Sequence, residues 1–302
     1  MKRFIPNILW RKRMYRAIVI ILSFWAYVVG APTQEIAPIT EAAKALFDIE
    51  FLSLQNKQGK SYKIHIALPK DTKDEKSIFY LLDGNAFFPI LLNEIANTHV
   101  DRLPIIVGIG HDSPLAFDRA LRTYDYTPLL AKDLQDEFGG GGGQSEFLDF
   151  ILTTLKPLIK ERFGSPKREM LFGHSFGGLF VLYALSYSGG SFSHYVCASP
   201  SLWWGFGSFV EAYKQQALKE DLSKAHIIFT RGDLEVQGQQ NHLSKSLLQS
   251  KQNREYPKLE ELVTFFNAKS PNVIFKEFAN QTHGSSLPLA MMLGLEHFMN
   301  EE

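Results

Sequence analysis

The sequence is poor in the residues that build cross-links and metal clusters. Its 302 residues include a single cysteine, Cys197, so no intramolecular disulfide and no cysteine-based metal cluster can form. That cysteine lies in the apolar run HYVCAS, where a buried structural thiol is expected rather than a nucleophile. Net charge is missing too, because 32 Lys and Arg balance 32 Asp and Glu. Without a basic excess no nucleic-acid partner is expected, and no acidic run forms a solvating tail. No group of His and carboxylates has convincing ligand spacing, so neither a metal nor another cofactor is expected. The five glycines at 139–143 are not followed by the Lys-Ser/Thr of a phosphate-binding loop, and read as a flexible loop instead.

What is present is apolar. Hydrophobic residues make up 45% of the chain, with 24 Phe, enough for one large core. The N-terminus differs from the rest: MKRFIPNILWRKRMYR carries six Lys/Arg and no acid, and AIVIILSFWAYVVG follows without a charge. Such a run has the length of a signal-peptide apolar region and is shorter than the roughly 20 residues that span a bilayer. A secretory signal or an uncleaved membrane anchor is therefore expected over 1–31, and the body of the protein is expected to be exported. Pro32 argues against cleavage after Ala31, leaving a cut after Gly30, or none, open. A polar tether over 32–46 and a single domain over 47–302 should follow.

In that domain, FDIEFLSL and SYKIHIALP alternate apolar and polar residues at period two across a Gly59-containing turn, which predicts an antiparallel hairpin. Six short unbroken apolar runs come next (SIFYLL, LPIIVGIG, REMLFG, HYVCAS, AHIIFT and PNVIFKEF), separated by segments with helical spacing. Unbroken runs mark strands covered on both faces, and their alternation with helices marks a parallel sheet. An α/β fold is expected, with a mostly parallel central sheet and helices on both faces.

Chemistry concentrates in MLFGHSFGGLFVLYAL, where a serine and three glycines interrupt two apolar runs. GHSFG is G-x-S-x-G between an expected strand and an expected helix, the setting of a nucleophile elbow. Gly173 and Gly177, two residues either side of Ser175, keep the sharp turn clear of its neighbours. A serine nucleophile needs a base, and His283 in THGSS lies just past the last expected strand and before the last helix. For the acid, Asp233 and Glu235 both follow the strand AHIIFT, and a Ser–His dyad without an acid stays open. Backbone amides of Phe176 and of Gly84 or Asn85 in LDGN are the candidate oxyanion donors.

Several stretches together resemble one family. YLLDGNAFF, IIVGIG, RTYDYTP, LFGHSFGG, ASPSLWWG and THGSS occur in an order similar to that of the esterase D-like α/β-hydrolases, over about 75–290. Within them the resemblance is closest to the enterobactin and salmochelin trilactone esterases. It implies Ser175 and His283 as catalytic residues with a variable acid, and a periplasmic, membrane-associated relative. Glu235 is favoured as the acid because its offset from Gly232 resembles the G-x-x-D spacing of related esterases. The resemblance also implies that Arg122 faces the site entrance, where it either binds substrate or pairs with Asp125 or Asp118 and fixes its loop. Trp203 and Trp204 read either as a buried support or as an aromatic wall for catecholate rings. The small-molecule partner expected is a ferric or apo catecholate siderophore. A general carboxylesterase and a non-catalytic binding protein of the same fold are the alternatives.

Overall fold

The structure is a computed structural model that describes residues 34–71, 76–98, 100, 102–135, 139–235 and 257–300. The segment 1–31, expected to be a signal or anchor, lies outside the described residues. Among those described, no helix is long and apolar enough to cross a membrane.

Eight strands form one sheet in the order β1-β2-β4-β3-β5-β6-β7-β8. β1 (Phe47–Gln55) and β2 (Ser61–Pro69) are the expected antiparallel hairpin. β2 also runs antiparallel to β4 (Ile105–His111). From there β3 (Ser77–Leu82), β5 (Arg168–His174), β6 (His194–Ala198), β7 (His226–Gly232) and β8 (Val273–Phe278) continue parallel to β4. Unbroken apolar runs make these central strands because successive side chains point to opposite faces and both faces are covered. In β3, Ile78, Tyr80 and Leu82 enter one core, while Phe79 and Leu81 enter the other.

The two cores are covered by different helices. Over one face lie α1 (Glu41–Leu46) and α2 (Gly84–Asn97), together with α9 (Ser286–Asn300). Over the other lie α4 (Gln144–Phe150), α5 (Lys156–Phe163), α6 (Phe176–Tyr187), α7 (Val210–Ala217) and α8 (Leu259–Asn267). α3 (Arg119–Tyr126) packs against α4 and α6. A π-helical turn, Ile151–Leu155, joins α4 to α5. Pro157 explains it, since a proline ring would clash with the carbonyl four residues back in a regular helix, and the wider turn relieves that contact.

Two expectations need correction. α1 lies inside the stretch expected as a tether: Thr40 caps it by accepting from Ala43 N, Ala43 is fully buried, and the helix packs on α2. The compact unit accordingly begins at Ile36 rather than at residue 47. The glycine run is also tied down. Gly142 N donates to Thr127 O and Gly143 N to Tyr124 O, at 2.9 and 2.8 Å, which holds the run against the end of α3.

Candidate active site

Ser175 occupies the turn between β5 and α6 at the C-terminal edge of the sheet, with φ 62° and ψ −119°. A non-glycine residue in such a conformation costs on the order of 1–3 kcal/mol and persists only where its surroundings impose it. Two main-chain bonds impose it here, Ser175 N to Ala198 O and Leu179 N to Ser175 O, both 3.0 Å. The flanking glycines answer to this turn: a Cβ at Gly173 would run into the Gly177 carbonyl. The side chain of Ser175 is half-buried and its Oγ lies 3.2 Å from Ser201 Oγ.

His283 follows β8 on a short loop, with its Nδ1 2.8 Å from Glu235 Oε2. Glu235 closes a single 3-10 turn after β7, Asp233–Glu235, and its carboxylate folds back over the strand end. Its Oε1 accepts from Gly232 N at 2.6 Å, Ser199 Oγ at 2.8 Å and Ser286 Oγ at 3.3 Å. Burial alone would raise its pKa. The hydrogen bond and charge of His283, with the Gly232 N–H and the Ser199 hydroxyl, outweigh burial and hold it at about 2. An ionised carboxylate only accepts, so Nδ1 carries the hydrogen and Nε2 keeps the lone pair a base needs.

Of the two acids left open by the sequence, only Glu235 is brought to His283. Asp233 turns the other way, and its Oδ1 accepts from Gln281 N at 3.2 Å, bracing the loop that carries His283. His174 was not singled out in the sequence. It is buried, its Nε2 lies 2.8 Å from His283 O, and the two rings are 4.5 Å apart. A carbonyl partner requires Nε2 to donate. Burial first, then the charge of His283, keeps the His174 pKa well below its ordinary value, so the ring is neutral.

On the opposite flank, Gly84 and Asn85 open α2 directly after β3, and first-turn N–H groups have no acceptor within their own helix. Phe176 opens α6 in the same way. The Asn85 side chain is committed to the scaffold: its Nδ2 donates to the carbonyls of His111, Ser113 and Leu115 at 3.0, 3.2 and 3.0 Å, and its Oδ1 meets His65 Nε2 at 3.2 Å. Asp83, the preceding residue, is left-handed at φ 52°.

Arg122 braces the scaffold, but through a partner other than Asp118 or Asp125. Its Nε and Nη2 donate to Asp83 Oδ1 and Oδ2, at 3.0 and 2.9 Å, and the Phe117, Tyr126 and Phe176 rings surround its guanidinium. Burial alone would lower its pKa; Asp83 outweighs burial and raises it. The guanidinium is thus held on Asp83, the residue before α2. Asp118 instead caps α3 through Leu121 N, and Asp125 is buried against Lys60 Nζ and His111 Nε2 at 2.6 and 3.0 Å. Trp204 takes the buried-support reading of the two: it is fully buried and its indole N–H donates to Pro128 O at 3.1 Å, so it cannot stack on a ligand. Trp203 is half-buried, with its ring 5.5 Å from Phe176.

A strained serine at the head of α6, with a carboxylate-held histidine packed on the neighbouring His174, is equipped for acyl transfer. The family model described as "Putative esterase" matches residues 56–268. This chain belongs to that family. It is 27% identical over 256 residues to the apo-salmochelin esterase of Escherichia coli O6:H1, covering 82% of this chain and 77% of that one. It is 37% identical over 166 residues to the siderophore triacetylfusarinine C esterase of Aspergillus fumigatus, which is 50% of this chain and 55% of that relative; the match therefore spans little more than half of that protein. Among solved structures, the enterobactin hydrolase IroE in complex with DFP superposes with a TM-score of 0.65 at 25% identity, covering 87% of this chain and all of that one. The chain is a carboxylic ester hydrolase built on the α/β-hydrolase fold.

Proposed function

We propose that this esterase hydrolyses the ester bonds of catecholate trilactone siderophores of the enterobactin and salmochelin type through an acyl-enzyme on Ser175. The observation that carries the mechanism is the 2.8 Å bond from His283 Nδ1 to Glu235 beside the Ser175 elbow. Ser175 Oγ attacks the ester carbon while His283 Nε2 takes its proton. Glu235 stabilises the imidazolium that forms. The amides of Phe176 and of Gly84 or Asn85 receive the developing oxyanion. The imidazolium then protonates the leaving alkoxide, and water attacks the acyl-enzyme by the same route in reverse. Iron, where present, arrives bound to the substrate.

The substrate class rests on the relatives, whose names specify salmochelin, fusarinine-type and enterobactin siderophores. The basic and then apolar segment over 1–31 supports an exported, envelope-associated location. The test compares kcat/KM of the protein on cyclic catecholate trilactones with that on p-nitrophenyl acyl esters, with Ser175→Ala as control. A trilactone preference of at least about tenfold, abolished by Ser175→Ala, is expected. Equal or better turnover of small acyl esters would instead favour a general carboxylesterase.

A further inference from the structure

We infer that Ser201 is an additional catalytic residue, donating its hydroxyl hydrogen to Ser175 Oγ as that oxygen gains and later sheds negative charge. The inference rests on the reading of Ser175 as nucleophile. Ser201 is only 2% exposed, and its Oγ lies 3.2 Å from Ser175 Oγ. A buried hydroxyl requires a partner, and here the partner is the reacting atom itself.

The loop after β6 is held where this contact is built in. Ser175 N donates to Ala198 O, and Ser201 N donates back to Ser175 O at 3.1 Å, so two main-chain bonds tie loop to elbow. Ser199 N anchors the loop to Thr230 O on β7, at 2.8 Å. The close approach depends on Gly178, where a Cβ would meet Ala198 O at 2.6 Å and Pro200 Cα at 3.1 Å. Two residues before Ser201, Ser199 Oγ donates to Glu235 Oε1. The segment Ser199-Pro200-Ser201 therefore lays one hydroxyl on the acid and the next on the nucleophile.

The chemistry follows from what Ser175 Oγ undergoes. In acylation its O–H bond breaks, the proton passes to His283, and Oγ bonds the ester carbon. In deacylation water attacks the acyl carbon, the C–Oγ bond breaks, and His283 returns a proton to Oγ. Ser201 transfers no proton of its own in either step. By donating into Oγ it opposes the charge on that oxygen in both directions, and it leaves the hydrogen of Ser175 to point toward the base. The opposite arrangement, with Ser175 donating to Ser201, would hold that hydrogen away from His283, and removing Ser201 would then speed the reaction.

The experiment is steady-state hydrolysis of p-nitrophenyl acetate, together with the rate and extent of fluorophosphonate labelling. The variants are Ser201→Ala, Ser201→Cys and Ser175→Ala in the full chain. Losing a hydrogen bond to a charging group predicts a kcat lower by roughly ten- to a hundredfold in both Ser201 variants. KM should stay within about twofold, and labelling should be slower but still complete. The cysteine keeps the shape and is a weak donor, so Ser201→Cys should keep the wild-type melting temperature while losing rate. A kcat at or above wild type in Ser201→Ala overturns the inference, as does a Cys variant with wild-type rate, which would make the role one of packing. The nucleophile reading fails separately, if Ser175→Ala retains hydrolysis and labelling.

Discussion

The two flanks of Ser175 are built from different materials. Toward β3 lie main-chain N–H groups at the start of α2, braced by the buried Arg122–Asp83 pair and by four hydrogen bonds of the Asn85 amide. Nothing there has to change charge. Toward β6, β7 and β8 lie side chains that accept, hold or pass protons: Ser201, Ser199, Glu235 and His283, the last packed on His174 at the end of β5. His283 is the most open of the ion-paired groups in the site, with 36% of its side chain exposed against 8% for Glu235. The difference separates two tasks. Transient negative charge is best met by donors that need no reorganisation, whereas a proton carrier must cycle between charge states and benefits from a partner of constant charge.

The largest effect that would break this comparison comes from the proton-carrying flank. His283→Ala should lower kcat by about 10⁴-fold or more, and adding Ser175→Ala should cost little further, because residues acting as one unit are not additive. Steady-state kinetics of the two single variants and the double variant checks this. Additive losses in log kcat would remove His283 from the base role and with it the division between the flanks.

A smaller loss should separate the two acids. Glu235→Gln is expected to cost between about tenfold and 10⁴-fold in kcat, the upper end being that of a triad acid made neutral. Asp233→Asn should stay within roughly threefold, since it keeps an acceptor for Gln281 N. Stability carries the same signature. Glu235 has its pKa held at about 2 against an ordinary 4.5. A carboxylate depressed on folding contributes stability that is full above the unfolded value and is lost as pH falls through the folded one. Urea unfolding should therefore show the gap between wild type and Glu235→Gln widest above pH 4.5 and closing toward pH 2. A gap independent of pH would mean that the carboxylate charge is not what matters.

How far the sequence announced all this depends on the range of the interaction. The sheet was legible because each strand is a local apolar run, and the elbow was legible because its constraint falls within five residues. Glu235 could be favoured over Asp233 only through its G-x-x-D-like offset from Gly232, because both lie one short turn past β7 and the 3-10 turn decides which carboxylate comes back over Gly232. The partner of Arg122 lies 39 positions away, across β4 and the loop after it, and no local pattern encodes it. Ser199 and Ser201 stand inside SPSLWW, but their partners Glu235 and Ser175 lie 36 and 26 positions away and no local pattern encodes them. α1 escaped because six residues give too little periodicity to distinguish a helix from a polar connection.

On the rigid flank, Arg122→Ala should harm every substrate alike. Removing one partner of a buried ion pair leaves Asp83 buried and uncompensated, at about 3–5 kcal/mol, and frees the turn that aims Gly84 and Asn85. Thermal melts should show the loss of stability. The fall in kcat, on the order of ten- to a hundredfold as for a disturbed oxyanion donor, should match for p-nitrophenyl acetate and for a catecholate trilactone. A KM increase confined to the trilactone, weakened further by salt, would return Arg122 to the substrate-binding role read from the sequence.

The smallest effect on rate should come from Trp203, and it sharpens the comparison by asking whether either flank reads the substrate. Trp203 and Trp204 are adjacent, yet only Trp203 keeps part of its ring exposed, packed against Phe176 next to the nucleophile. An aromatic pair contributes about 0.5–1.5 kcal/mol beyond the area it buries. If a catechol ring stacks there, Trp203→Ala should raise KM for the trilactone by roughly two- to twelvefold and leave p-nitrophenyl acetate nearly unchanged. Trp204→Ala empties a fully buried site and forfeits the bond to Pro128. It should cost about 3–5 kcal/mol of stability without discriminating between substrates. The two variants therefore separate a contact with substrate from a contact with the scaffold, at neighbouring positions in one loop. Equal KM changes on both esters in Trp203→Ala would leave the specificity of this esterase with groups other than its tryptophans.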